Sequence, residues 1–237
     1  MVARHSKFIC EVQIVNGLNW RGITPSPQIS KIISIVSTIS LILGFSSLPA
    51  LAHHPFGGQT PSNFGEGFLS GLGHPVIGID HLTFVIAMGL MAGLLRYGLA
   101  LPFAFIITAI AGTGLHIMGI NLPLPELMIA GSVLIFGGLL AWGKALPPMV
   151  MIGLAGIAGL FHGYAYGEAI IGADMNPLAA YLLGFSCIQG AIAYGAYGVS
   201  NYWQQRSTSL HGALNLRFAG FLIAGAGIAF TAGQLLS

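Results

Sequence analysis

Charge is what this sequence has least of. Eight basic and six acidic residues, 6% of the chain, are all it carries over 237 positions, whereas a soluble domain has about a quarter. So few charges cannot cover a water-facing surface, which excludes a soluble globular domain and leaves an integral membrane protein. Four of the eight basic residues (Arg4, Lys7, Arg21, Lys31) precede residue 32, and the others form no patch of the kind that grips nucleic acid. Cysteine is nearly absent as well: Cys10 and Cys187 are the two, so a Cys-rich zinc site is excluded. Enzyme signatures are missing. Gly138-x-x-x-x-Gly143-Lys144 imitates a phosphate loop, but Ala145 stands where a Ser or Thr would hold magnesium, and the segment ends an apolar helix. There is no Ser-His-Asp order and no His-Glu-x-x-His. The chain does not read as an enzyme.

What fills the chain instead is apolar residues, 55% of the total. Residues 1–52 read as a leader: a polar, basic start, an apolar run from Ile32 to Leu51, and Ala50-x-Ala52 as a cleavage site before His53. The alternative is an uncleaved seventh membrane helix. Residues 53–75 form a segment outside the membrane, and residues 76–237 a six-helix membrane domain with spans near 76–95, 99–119, 125–143, 146–164, 178–199 and 216–236. Each has about 20 residues, the length that crosses the hydrocarbon core. Leu122-Pro123-Leu124-Pro125 and Pro147-Pro148 mark two turns. The expected fold is an all-α bundle of six transmembrane helices.

If His53 emerges outside, Arg96, Lys144 and Arg206 fall in inside loops, and the outside loops carry no Lys or Arg. That agrees with the positive-inside rule. Glu66, Glu126, Glu168 and Asp174 then gather at the outer face, where negative charge concentrates cations. Glycines at Gly89-x-x-x-Gly93, Gly156 to Gly163 and Gly220 to Gly227 are placed to let helices approach closely.

Histidine is the enriched ionisable residue, eight against six acids, and six of the eight lie between His53 and His162. His74 and His81 are seven apart, two helical turns, and stack on one face of a continuous helix, with Gly78 leaving room between them. Pro75 suits a first helical turn with His74 near the N-cap. Asp80 either ligates from the side or accepts the second ring N–H of a neighbouring imidazole. His116, His162 and Glu168 are brought by the topology to the same outer face. Imidazole with carboxylate is the ligand chemistry of divalent transition metals, so His74, Asp80, His81, His116, His162 and Glu168 are the expected metal residues. His53 and His54, exposed by cleavage, are a capture point or simply trail the leader. Tyr164, Tyr166 and Tyr181 read as interfacial anchors; Cys187, Gln189 and Ser186, halfway down the fifth span, read either as an inner relay that passes a metal along or, for Cys187, as simple packing.

The stretch His74-Pro75-x-x-Gly78-x-Asp80-His81, with Phe161-His162-Gly163, the leader and the six spans, resembles the HupE/UreJ family of bacterial nickel/cobalt permeases. The resemblance implies metal uptake at the bacterial plasma (inner) membrane. It also implies service to hydrogenase or urease maturation, with metallochaperones as partners beside the lipid bilayer, and a role for His74, Asp80, His81 and His162. Two departures stand out: Tyr166 occupies the place where the family often carries a second histidine, and Glu168 falls one place early. The expected cargo is nickel or cobalt, with copper, zinc or iron as alternatives; no permanently bound cofactor is expected. A membrane metal chaperone or sensor that conducts nothing, or a transporter of another solute with a histidine relay, are the other functions this pattern allows.

Overall fold

The computed structural model describes residues 60–206 and 209–236, with the side chains of 206 and 209–213 left out. The expected leader and its cleavage site, with His53 and His54, lie outside the described residues. Those described fold into seven helices: α1 (Phe64–Ile77), α2 (Ile79–Ala92), α3 (Ala100–Ile117), α4 (Pro125–Trp142), α5 (Pro148–Glu168), α6 (Met175–Arg206) and α7 (Ser209–Leu236). There is no strand among the described residues. Helices α3 to α7 are each long and apolar enough to cross a membrane, and α1 with α2 makes a sixth span if the bent pair is one. The fold is an all-α membrane bundle.

Five of the six expected spans coincide with helices to within a few residues, or lie inside longer ones. Proline sets the starts of two. Pro125 and Pro148 occupy first helical turns, where a missing N–H costs nothing. Gly143 closes α4 in the left-handed conformation, φ +72°, the usual helix-ending role of glycine. This settles the imitation phosphate loop: it is a helix C-terminus, with Lys144 Nζ over the Trp142 ring at 4.8 Å.

The first expected span differs. Helix begins not near residue 76 but at Phe64, inside the segment expected to lie outside the membrane. Asn63 caps it, its Oδ1 accepting from Glu66 N–H at 3.0 Å, while the Glu66 carboxylate accepts from Ser62 N–H at 2.8 Å. These satisfy donors that a helix N-terminus leaves unpaired. At Gly78 the chain turns by 78° between α1 and α2. Pro75 therefore lies inside α1 near its end, not at a helix start. Each half is 14 residues, about 21 Å, too short to cross the core of about 30 Å alone.

Helix α2 is the hub. It touches α1, α3, α4, α6 and α7, and nine of its fourteen residues are buried. Phe84 stands at the centre, with ring centroids 5.2 Å from Phe105 and 5.0 Å from Phe136. Around it, α3 lies along α5, α4 along α7 and α1 along α6. These pairs are close because glycine lines them. A Cβ at Gly163 would overlap the Ala109 backbone, and one at Gly220 the Ala141 backbone. Without a hydrophobic driving force between helices in lipid, such close backbone packing is what holds a bundle together. Large apolar side chains such as Phe103, Leu183, Phe221 and Ile228 face outward, as a lipid-facing surface requires.

Candidate functional site

Where α1 ends and α2 begins, the turn at Gly78 brings His74 and His81 together from two different helices. They do not stack along one helix face. Their ring centroids are 5.8 Å apart, and each ring is 2% exposed. Two backbone bonds carry the chain through the break, Gly78 N–H to His74 O at 3.1 Å and Leu82 N–H to Gly78 O at 2.9 Å. Gly78 is required here for space. A Cβ on it would stand 2.5 Å from Cδ2 of His81 and 3.3 Å from Oδ1 of Asp80. Asp80 sits in the first turn of α2, half-buried, and its Oδ1 accepts from the His81 N–H at 2.8 Å. A carboxylate there also faces the positive end of the α2 dipole.

His162 arrives from α5 and is fully buried. Its Nδ1 lies 2.8 Å from Nδ1 of His81, and its Nε2 3.0 Å from Oγ of Ser132 on α4. The protons can be assigned from these partners. Ser132 donates its one proton to the Ile129 carbonyl at 2.6 Å, so toward His162 it must accept. His162 therefore carries its proton on Nε2, and its Nδ1 accepts. The proton between the two imidazoles then belongs to Nδ1 of His81, so in the neutral ring the lone pair is on Nε2. The same logic applies to His74. Tyr181 on α6 donates its proton to the Tyr166 carbonyl at 2.8 Å, so its oxygen accepts from Nδ1–H of His74 at 3.1 Å. In the neutral His74 ring the lone pair is likewise on Nε2.

Two hydrogen-bonded chains thus end on backbone carbonyls and fix the same tautomer in both histidines. One runs from His81 through His162 and Ser132 to Ile129; the other runs from His74 through Tyr181 to Tyr166. Metal-ligating histidines almost always hand their second ring N–H to such a partner. Between the chains lies the Tyr166 ring, with centroid 5.1 Å from His74 and 4.7 Å from His81.

The other expected residues fall elsewhere. His116, half-buried on α3, lies against Tyr164 with centroids 4.4 Å apart, and its buried Nδ1 has no hydrogen-bond partner among the described residues. Glu168 is exposed at the end of α5. No group of three or more His, Cys, Asp and Glu side chains is arranged to hold a metal among the described residues. Tyr166 and Tyr181 are wholly buried, not interfacial anchors. Cys187 is exposed on the outer face of α6 while Gln189, two residues on, is fully buried on the opposite face. Sequence reading missed Ser132 and Tyr181 as partners of the histidines. No pattern in one sequence marks which distant hydroxyl stands behind which imidazole.

The family model for HupE / UreJ protein matches residues 41–230, a range that takes in every helix of the bundle but the last residues of α7. The chain belongs to the HupE/UreJ family. A curated relative, Protein HupE of Rhizobium leguminosarum bv. viciae, is 34% identical over 151 residues, covering 63% of this chain and 75% of the relative. No solved structure matches. Within this HupE/UreJ chain, the buried His74–His81–His162 constellation and its oxygen partners are the candidate site.

Proposed function

We propose that this protein carries a divalent transition-metal ion, nickel or cobalt first, across the bacterial plasma membrane, and that the ion enters at the α1–α2 break. The observation that carries the reading is the pair of hydrogen-bonded chains. A histidine binds metal through an unprotonated nitrogen, and both chains direct Nδ1–H of His74 and His81 to protein acceptors, so that Nε2 is the ligating nitrogen of each neutral ring. Membership of the HupE/UreJ family supports the same reading.

In this mechanism His74 and His81 supply two imidazole ligands from either side of the break, and water fills the remaining positions. Asp80, at the first turn of α2 beside them, balances part of the ion's charge. His162 is not a ligand but the acceptor that orients His81. His116 and Glu168 take no part in the coordination. Because α1 ends and α2 starts here, the site also has the ends of two half-helices beside it, an arrangement that transport proteins use for ions. The membrane potential supplies the inward force, about 4.6 kcal/mol for a double charge at 100 mV. Metallochaperones of hydrogenase or urease maturation would receive the ion inside.

Uptake of radioactive nickel or cobalt into proteoliposomes tests the proposal. The unsubstituted protein is expected to accumulate ion in the lumen, and His74→Ala and His81→Ala to accumulate none while still inserting in the bilayer. Saturable binding without lumenal ion would show a chaperone or sensor instead. Uptake that follows the pH gradient and ignores chelators would show a transporter of another solute.

A further inference from the structure

In the middle of the bundle three side-chain atoms make no well-aligned hydrogen bond among the described residues: Oη of Tyr166 and both Oε1 and Nε2 of Gln189. Both residues are fully buried. Their polar ends face one another in a weak, poorly aligned contact, and neither has another partner among the described residues. The contrast with their surroundings is sharp. His74, His81, His162, Ser132 and Tyr181, also buried, all have partners. Surrounded by lipid, a bundle has no bulk water to satisfy such atoms, and a buried polar group left over in a native structure calls for a water or an ion. Gln189 points inward although the neighbouring polar residue Cys187 points out, so the helix presents its amide to the interior.

The position of this pair relative to the histidines is also defined. The Tyr166 ring packs against His74 and His81 in T-shaped contacts, and its hydroxyl faces Gln189, so the ring stands between the imidazole pair and the amide. Gln189 lies eight residues beyond Tyr181 on α6, about 12 Å further along the helix, away from the α6 N-terminus.

We infer that Tyr166 and Gln189 form a second station for the divalent cation, deeper in the bundle than the histidines, where it is held by the phenol oxygen, the amide oxygen and retained water. The inference rests on the transport reading above. The amide Nε2 donates to the water that travels with the ion. Neutral oxygen donors bind first-row divalent ions such as nickel and cobalt less tightly than imidazole does. A step from imidazole to oxygen ligands therefore loosens the ion, which conduction needs as much as it needs entry.

The test uses the full-length protein, with the nickel or cobalt ion alone as probe, and reads equilibrium binding and proteoliposome uptake on the same preparations. Gln189→Leu and Tyr166→Phe keep shape and remove the donors. They are expected to bind the ion within about twofold of the parent and to take it up at least tenfold more slowly; retained binding shows that the fold is intact. Gln189→Glu keeps size and adds charge, and is expected to hold a second ion per protein at equilibrium, an effect no packing defect produces. Unchanged uptake in both Gln189→Leu and Tyr166→Phe would overturn the inference, leaving a water site only. So would a single ion in Gln189→Glu together with parental uptake. Failure of the transport reading looks different: the parent itself would take up no ion, and the second station would fall with it.

Discussion

One proton on Ser132 decides the state of two imidazoles. Because that proton goes to the Ile129 carbonyl, the hydroxyl oxygen accepts from His162, His162 accepts from His81, and in the neutral His81 ring the lone pair is on Nε2. Ser132→Ala removes the acceptor, and Ser132→Thr keeps it. Loss of such an outer partner weakens metal binding about 10- to 100-fold. A fall of that size in nickel or cobalt affinity is expected for Ser132→Ala, measured by equilibrium binding, with recovery in Ser132→Thr. Tyr181→Phe is expected to act alike on His74. Nitrogen NMR of labelled histidine offers a second reading: the proton on Nδ1 of His81 is expected in the parent and a mixed tautomer in Ser132→Ala. Equal affinity across all these proteins would remove the chains from the mechanism. At this scale the histidines were legible, because ionisable residues are rare in apolar sequence and His74, Asp80 and His81 are clustered. Their partners were not. Ser132 and Tyr181 lie 51 and 100 residues beyond His81 along the chain, counted directly from the numbering. Only the folded contact distinguishes them from any other membrane Ser or Tyr.

The element that matters most is the broken first span. Its two halves were hidden in the sequence because hydropathy continues across Gly78, and a seven-residue spacing reads as one helix face. The start of α1 left a trace in Asn63-x-x-Glu66, a capping pattern whose apolar run follows it directly. The remaining spans were legible to within a few residues where proline or glycine ended them, and α6 and α7 proved longer than their apolar windows because helices can extend beyond the hydrocarbon core. Gly78→Ala tests the break. Its methyl would press on the edge of His81 that carries Nε2, so at least tenfold weaker metal binding is expected with the protein still assembled. Gly163→Ala tests the α3–α5 contact by overlap with the Ala109 backbone. Overpacking of this kind costs about 1–3 kcal/mol, to be read as a lowered unfolding temperature in detergent. Gly153, whose Cβ position meets no atom within 4 Å, supplies the comparison: Gly153→Ala is expected to be neutral or slightly stabilising. A Gly153 variant as unstable as the Gly163 variant would refute the packing argument.

At the scale of the whole molecule, composition alone was enough to place the chain in a bilayer, since 6% charged residues leave no other solvent for its surface. The gathering of distant histidines was legible in part. His74, His81 and His162 do meet, while His116 pairs with Tyr164 and Glu168 stays at the surface, because a shared membrane face does not specify which sides of neighbouring helices face each other. If the bundle passes a double positive charge, its uptake must respond to voltage. Proteoliposomes with an inside-negative potassium diffusion potential are expected to take up nickel or cobalt faster than unpolarised ones, and reversing the potential is expected to suppress uptake. Voltage-independent uptake would mean that a compensating charge moves with the ion.

The most direct measurement is X-ray absorption at the metal edge of the nickel- or cobalt-loaded protein in detergent. The account predicts the multiple-scattering signature of two imidazole ligands in the parent, reduced to one in either His74→Ala or His81→Ala and unchanged in number in His116→Ala. A bound ion surrounded only by oxygen, or an imidazole count that His74→Ala and His81→Ala leave untouched, would contradict it.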